Sequence, residues 1–114
     1  MKVAIITVAG ISSRFNEGVP EEKKELKAIY SEGDGKKTLL YHLLLKCAYA
    51  DKIIIVGGYK FESLEQYCDG LDDTLRDKIE LVYNEHFEDL ASGYSLYMGL
   101  RKAFEYEVEE ILFV

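Results

Sequence analysis

The sequence holds no tryptophan, one proline, two cysteines and two histidines in 114 residues, and each shortage excludes a class of protein. Cys47 and Cys68 have neither the density of a disulfide scaffold nor the spacing of a zinc site, and each lies in an apolar helical pattern. Two buried free thiols in a reducing cytoplasm are expected. His42 sits in a leucine-rich helical pattern and His86 between Asn84 and Ser92, with no ligand partners at metal spacing, so structural roles are expected for both. Long apolar runs are also missing: nothing approaches the roughly 20 residues needed to cross a bilayer. The short run at residues 3–9 is followed almost at once by Arg14 and a charged segment, which suits a buried strand better than a signal sequence. Positive charge is scarce. With 14 Lys and Arg against 21 Asp and Glu, a net charge of -7 and no basic stripe, the chain would repel a nucleic-acid backbone. Neither nucleic acid nor membrane is an expected partner. A phosphorylated small ligand would need a few cations and backbone amides focused at one place.

What is present is an ample core. Hydrophobic residues make up 48% of the chain, and a chain of this size buries roughly two-thirds of its unfolded surface in one domain. The nine tyrosines read as packing residues whose hydroxyls reach water or backbone. Residues 3–9 are continuously apolar and rich in β-branched side chains, the mark of a strand covered on both faces. The same signature returns at 52–56 before Gly57 and Gly58, at 79–83 before Asn84, and at 111–114. Helical patterns lie between them: 38–49 with Thr38 as cap, 61–68 with room to extend, and 92–106 with Leu96, Gly99, Leu100 and Ala103 on one stripe. Strand and helix alternate without repeats or low-complexity segments. The expected fold is a three-layer α/β/α, Rossmann-like domain with a mostly parallel sheet of about four strands.

Residues 12–37 break this regularity with many charges, Gly18, Gly33, Gly35 and Pro20. Loops longer than about 12–15 residues are uncommon inside a domain and are often functional; a solvated surface excursion is the alternative. Glu21, Glu22, Lys23, Lys24 and Glu25 read as a solvated charge run. Residues 33–37 have the wrong spacing for a P-loop and read as a turn into the helix capped by Thr38. Ligands in open parallel sheets bind beyond the carboxyl ends of the strands, where the strand order reverses. Those ends carry Gly10, Gly57 with Gly58, and Asn84. Ala9, Gly10, Ile11, Ser12, Ser13 and Arg14 then supply what a polyphosphate needs: a glycine for close approach, two hydroxyls, amides and a guanidinium fork. Gly10 does not begin a Gly-x-Gly-x-x-Gly pattern, and no acidic residue closes the second strand, which argues against a dinucleotide-dependent oxidoreductase.

The segment Ala9-Gly10-Ile11-Ser12-Ser13-Arg14 resembles the Ala-Gly-x-Gly-x-Arg signature of nucleotidyltransferases with the glycosyltransferase-A-like α/β fold. Leu26, Lys27, Ala28, Ile29 and Tyr30, followed by Thr38, Leu39 and Leu40, look like that family's Pro-Lys segment. Asn84 and then Ser92-Gly93-Tyr94-Ser95-Leu96 look like its third feature. The three run in register along the chain, in a form similar to the branch of choline-phosphate cytidylyltransferases, molybdenum-cofactor-type and sugar-phosphate nucleotidyltransferases. Two positions depart: Ser12 replaces the second glycine, and Leu26 replaces the proline, which leaves Lys23, Lys24 and Lys27 open as the phosphate lysine.

The resemblance implies transfer of a nucleoside monophosphate from an NTP to a phosphorylated small-molecule acceptor, with pyrophosphate leaving and Mg²⁺ bridging the phosphates. Arg14 and Lys27 would be the catalytic cations on the triphosphate, with backbone amides from Gly10 to Ser13 as its cradle. Gly57, Gly58, Asn84, Ser92, Gly93 and Ser95 would surround base and ribose. Other readings stand beside these: a strand-ending turn for Gly57 and Gly58, and an ordinary helix cap for Ser92. In the family an aspartate that binds the metal follows the fourth strand, whereas this sequence stops at Val114. Residues 1–114 are therefore expected to be the nucleotide-binding part of a longer chain, and a non-catalytic nucleotide-binding or regulatory module is the alternative.

Overall fold

The computed structural model describes residues 1–8, 38–86 and 92–113. Its centre is β1 (Lys2–Thr7), in which Val3, Ala4, Ile5 and Ile6 are all buried. A strand whose side chains are apolar on both faces needs cover on both, and its backbone groups need strands on either side. β2 (Lys52–Gly57) pairs with β1 in parallel, with Ile5 opposite Ile54 and Thr7 opposite Val56. β3 (Ile79–Tyr83) pairs with β2, with Ile54 opposite Glu80 and Gly57 opposite Tyr83. β4 (Glu110–Phe113) pairs with the other side of β1, with Ile5 opposite Phe113. The sheet order is β3-β2-β1-β4, every pairing parallel. The small Rossmann-like α/β domain expected from the alternating patterns is the one found.

The expected strands at 52–56 and 79–83 match β2 and β3 to within a residue. The first starts one residue earlier than expected and ends two earlier, and the last shifts by one toward the N-terminus, with Ala9 and Val114 outside the described residues. Val8 no longer runs in the strand, though its N–H still donates to Val56 O at 2.8 Å.

Alternation along the strands divides the core in two. Ala4, Ile6, Ile53 and Ile55 face α1 (Leu39–Lys46) and α2 (Phe61–Asp69), which contribute Leu40, Leu44, Leu64 and Cys68. Val3, Ile5, Ile54 and Val56 face α4 (Ser92–Ala103), which contributes Ala103 and, at the margin, Met98 and Leu100. α1 starts where the sequence places its cap: the Thr38 hydroxyl accepts from the Tyr41 N–H at 3.0 Å and shares a 2.7 Å hydrogen bond with the Tyr67 hydroxyl. A buried capping residue thus joins α1 to α2 as well as starting a helix. Between α2 and β3 lies a short helix, α3 (Asp73–Arg76), which the sequence patterns did not separate from α2. Asp72 caps it by accepting from the Leu75 N–H, and Leu75 is its one buried anchor.

The face that α4 turns inward differs from the expected stripe. Gly99 and Ala103 point into the core as expected, but Leu96 is 38% exposed and Ser95 is buried in its place. Small residues explain the shift. A Cβ on Gly99 would stand 2.6 Å from Cγ2 of Ile5 and 3.4 Å from Cγ2 of Val56, so the helix rests almost directly on β1 and β2.

At its C-terminal end α4 is clasped by polar groups. Glu80 lies on the α4 face of β3. Its carboxylate accepts from the Tyr106 hydroxyl and pairs with Lys102 at 3.0 Å and Lys52 at 3.8 Å. The Tyr106 hydrogen bond, followed by the Lys102 ammonium, holds Glu80 below the usual carboxylate range. The same contacts raise the pKa values of Tyr106 and Lys102.

Two outcomes follow. Gly99→Ala gains about 1 kcal/mol of helix propensity but overpacks a stiff β-branched neighbour, which costs about 1–3 kcal/mol; denaturant unfolding should show a net loss of about 1 kcal/mol, and an unchanged or raised midpoint would contradict the close seat of α4. Because its folded pKa is depressed, Glu80 contributes stability that is complete above the ordinary glutamate value and disappears as pH falls through the lower folded one. The stability gap between wild type and Glu80→Gln should therefore be flat above the ordinary glutamate range and shrink as pH falls below it. A gap that does not change with pH would show that the clasp carries no charge.

Candidate functional site

Parallel pairing puts all four carboxyl ends on one edge: Thr7 closing β1 with Val8 after it, Gly57 closing β2 with Gly58 after it, Tyr83 closing β3 with Asn84 after it, and Phe113 closing β4. The order reverses between β1 and β4, because the chain steps from β1 outward to β2 and β3 and then returns to the opposite side of β1. The segment that follows β1 therefore leaves from the switch point, where ligands of open α/β sheets bind. Ala9, Gly10, Ile11, Ser12, Ser13, Arg14 and Lys27, with Lys23 and Lys24, belong to that segment and lie outside the described residues.

Four of the remaining sequence-predicted residues are brought together. Asn84 ends β3 and is fully buried, as is Ser95 on α4. The Asn84 side-chain amide donates to Ser95 Oγ at 2.9 Å, its Oδ1 accepts from the His86 N–H at 2.8 Å, and its backbone N–H donates to Gly57 O at 2.7 Å. Gly57 and Gly58 stand beside this group, both buried. Gly57 has no room for a side chain: an added Cβ would meet Leu64 Cδ2 at 2.5 Å and Phe61 Cδ1 at 3.0 Å. Its contact is with α2, so the closeness that glycine permits is spent on helix packing. Ser92 and Gly93 open α4 next to the Asn84 turn.

Sequence reasoning did not foresee the Asn84–Ser95 bond. The available signals were a polar residue closing an apolar strand and a polar residue within a helix's apolar stripe. Lys60 was also missed. It begins α2 in the left-handed conformation, with φ 56°, and nothing in its residue type marks that position. Beside it a cleft of about 670 Å³ opens along Gly58, Ser63 and Tyr83, where the Phe61 and Tyr83 rings meet at 5.1 Å.

The described residues supply no nucleophilic thiolate. Both cysteines are free and buried; burial, with the Asp69 charge second, pushes the Cys68 thiol up to about 11, and burial raises Cys47 as well. Among the described residues no group of three or more His, Cys, Asp or Glu side chains could hold a metal ion. His42 is exposed on α1, while His86 packs edge-on against Tyr94 with ring centroids 5.3 Å apart. No helix among the described residues is long and apolar enough to cross a membrane.

The chain is 35% identical over 92 residues to a choline-phosphate cytidylyltransferase of Haemophilus influenzae, an alignment covering 81% of this chain and 36% of that protein. It thus spans about a third of the length of the curated relative it matches. No solved structure matches it. Residues 23–114 match the model of a domain of unknown function, DUF6564, and the chain belongs to that family.

Proposed function

We propose that this chain forms the nucleotide-binding part of a nucleotidyltransferase, which transfers a nucleoside monophosphate from an NTP to a phosphorylated small-molecule acceptor and releases pyrophosphate. The observation that carries the reading is the 35% identity over 92 residues to a cytidylyltransferase. The relative's printed name points to a cytidine nucleotide and choline phosphate as the first pair to try. The fold agrees with it, since the sheet order reverses at β1, the strand after which the Gly10 to Arg14 segment runs.

In this reading the acceptor phosphate attacks the α-phosphorus in line as the bond to the leaving pyrophosphate breaks. The protein's part is positioning and neutralisation of developing charge. Arg14 and Lys27 hold the triphosphate, with amides of residues 10–13 around it. Gly58 and the opening of α4 at Ser92 and Gly93 form the wall for base and ribose. Mg²⁺ would supply charge neutralisation on the phosphates, which Arg14 and Lys27 would hold.

The test is pyrophosphate release from CTP and choline phosphate by the whole protein. Release that depends on both substrates supports transfer, whereas saturable CTP binding without release would make the chain a nucleotide-binding module. Arg14→Ala removes charge-assisted hydrogen bonds to phosphate and should weaken CTP binding about 10- to 100-fold. Unchanged affinity and rate would remove Arg14 from the site.

A further inference from the structure

We infer that Asn84 and Ser95 act as one positioning unit. Their buried hydrogen bond fixes the first turn of α4 at the carboxyl edge, and a nucleotide there is met by the backbone and neighbouring groups which that bond places, not by either polar side chain. The nucleotide half of this inference rests on the reading given under Proposed function.

The bonding of Asn84 carries the argument. One residue reaches three separate pieces of structure: Gly57 O at the end of β2, the His86 N–H in the turn after β3, and Ser95 Oγ on α4. Asn84 and Ser95 are both at 0% exposure, so a ligand meets neither side chain while the bonds stand. Opening them would strand a buried amide and a buried hydroxyl, the costly side of hydrogen-bond energetics.

Further along α4, Gly99 rests against Ile5 and Val56, Ala103 is buried and Lys102 is clasped by Glu80. Those contacts set the seat of the helix from its middle onward. Ser95 ties the first turn to Asn84 at the end of β3. Tyr94 in that turn begins a row of rings: it meets His86 edge-on and stacks on Tyr97 with centroids 6.0 Å apart, and Arg101 lies over Tyr97 at 5.8 Å. Tyr97 is half exposed. Loss of the Asn84–Ser95 bond therefore displaces groups that a ligand could touch, although neither partner is one of them.

Ser95→Ala is the decisive variant, because it deletes one hydroxyl and leaves the helix intact. Asn84→Ala and the double variant complete a cycle. In the ligand-free whole protein, Ser95→Ala should speed amide hydrogen exchange at His86 and in the first turn of α4 by about tenfold relative to β1 and β2. In CTP titrations each single variant should weaken binding by about the same factor, roughly tenfold. The double variant should weaken it no further, and the preference for CTP over UTP should not change.

Two results would overturn the inference. One is exchange at the first turn of α4 rising no more than exchange in the sheet. The other is a changed CTP-to-UTP preference in Asn84→Ala with Ser95→Ala binding normally, which would make Asn84 a reader of the base. If the wild type binds no nucleotide, the reading under Proposed function falls and takes the nucleotide half with it. The exchange experiment then decides the positioning unit alone, and Ser95→Ala keeps it decidable should Asn84→Ala fail to fold.

Discussion

Everything in this structure depends on β1 being buried on both faces. Val3 and Ile5 point one way, Ala4 and Ile6 the other, and all four are withdrawn from water. Such a strand cannot lie at a surface, so helices must cover it on both sides and strands must satisfy its backbone on both edges. β2 and β4 take those edges in parallel. Parallel pairing requires crossovers, and crossovers deliver every carboxyl end to the same side of the molecule. The position of the candidate site is thus a consequence of where the apolar residues of one six-residue strand have to go.

The two coverings are built differently. On the α1 and α2 side, leucines fill the space between helix and sheet, and the Thr38 to Tyr67 hydrogen bond ties one helix to the other. On the opposite side a single long helix carries Ser95, Gly99 and Ala103 inward and lies close on the sheet. A helix seated on small residues buries less apolar surface per turn, and polar groups hold both of its ends: Asn84 with Ser95 at the start, Glu80 with Lys102 and Tyr106 at the finish. The two polar contacts answer different needs. Glu80 is a partly exposed charge cluster that responds to pH, whereas Asn84 and Ser95 form a buried neutral bond that does not.

The physics of burial made the strands legible, because a run of β-branched residues with no polar interruption has few other fates. Helix starts were legible where a residue type caps by its own chemistry, as at Thr38. α3 was not, since four residues carry no period to detect and its cap at Asp72 lies in a run of charged residues. The α4 stripe was misjudged at Leu96 for a related reason: hydrophobicity locates the apolar side of a helix, but close packing locates the side that touches the sheet, and there small residues win. At the site, the ends of the strands placed Gly57, Gly58 and Asn84 on one edge, and the family resemblance added Ser95 to them. Neither could show that Asn84 and Ser95, eleven residues apart, spend their hydrogen-bonding groups on each other, or that Gly57 is open for the sake of Leu64 and Phe61. Those facts belong to side-chain geometry.

The similarity to a cytidylyltransferase and the topology meet in one spatial claim: a nucleotide lies over the carboxyl edge of this sheet. Amide chemical shifts of the whole protein during a CTP titration test that claim most directly. Saturable shifts should gather at Thr7, Val8, Gly58, His86 and the first turn of α4, with Lys2, Lys52, Ile79 and Glu110 at the opposite edge unmoved. Shifts centred on the amino edge, or no saturable shifts at all, would contradict it.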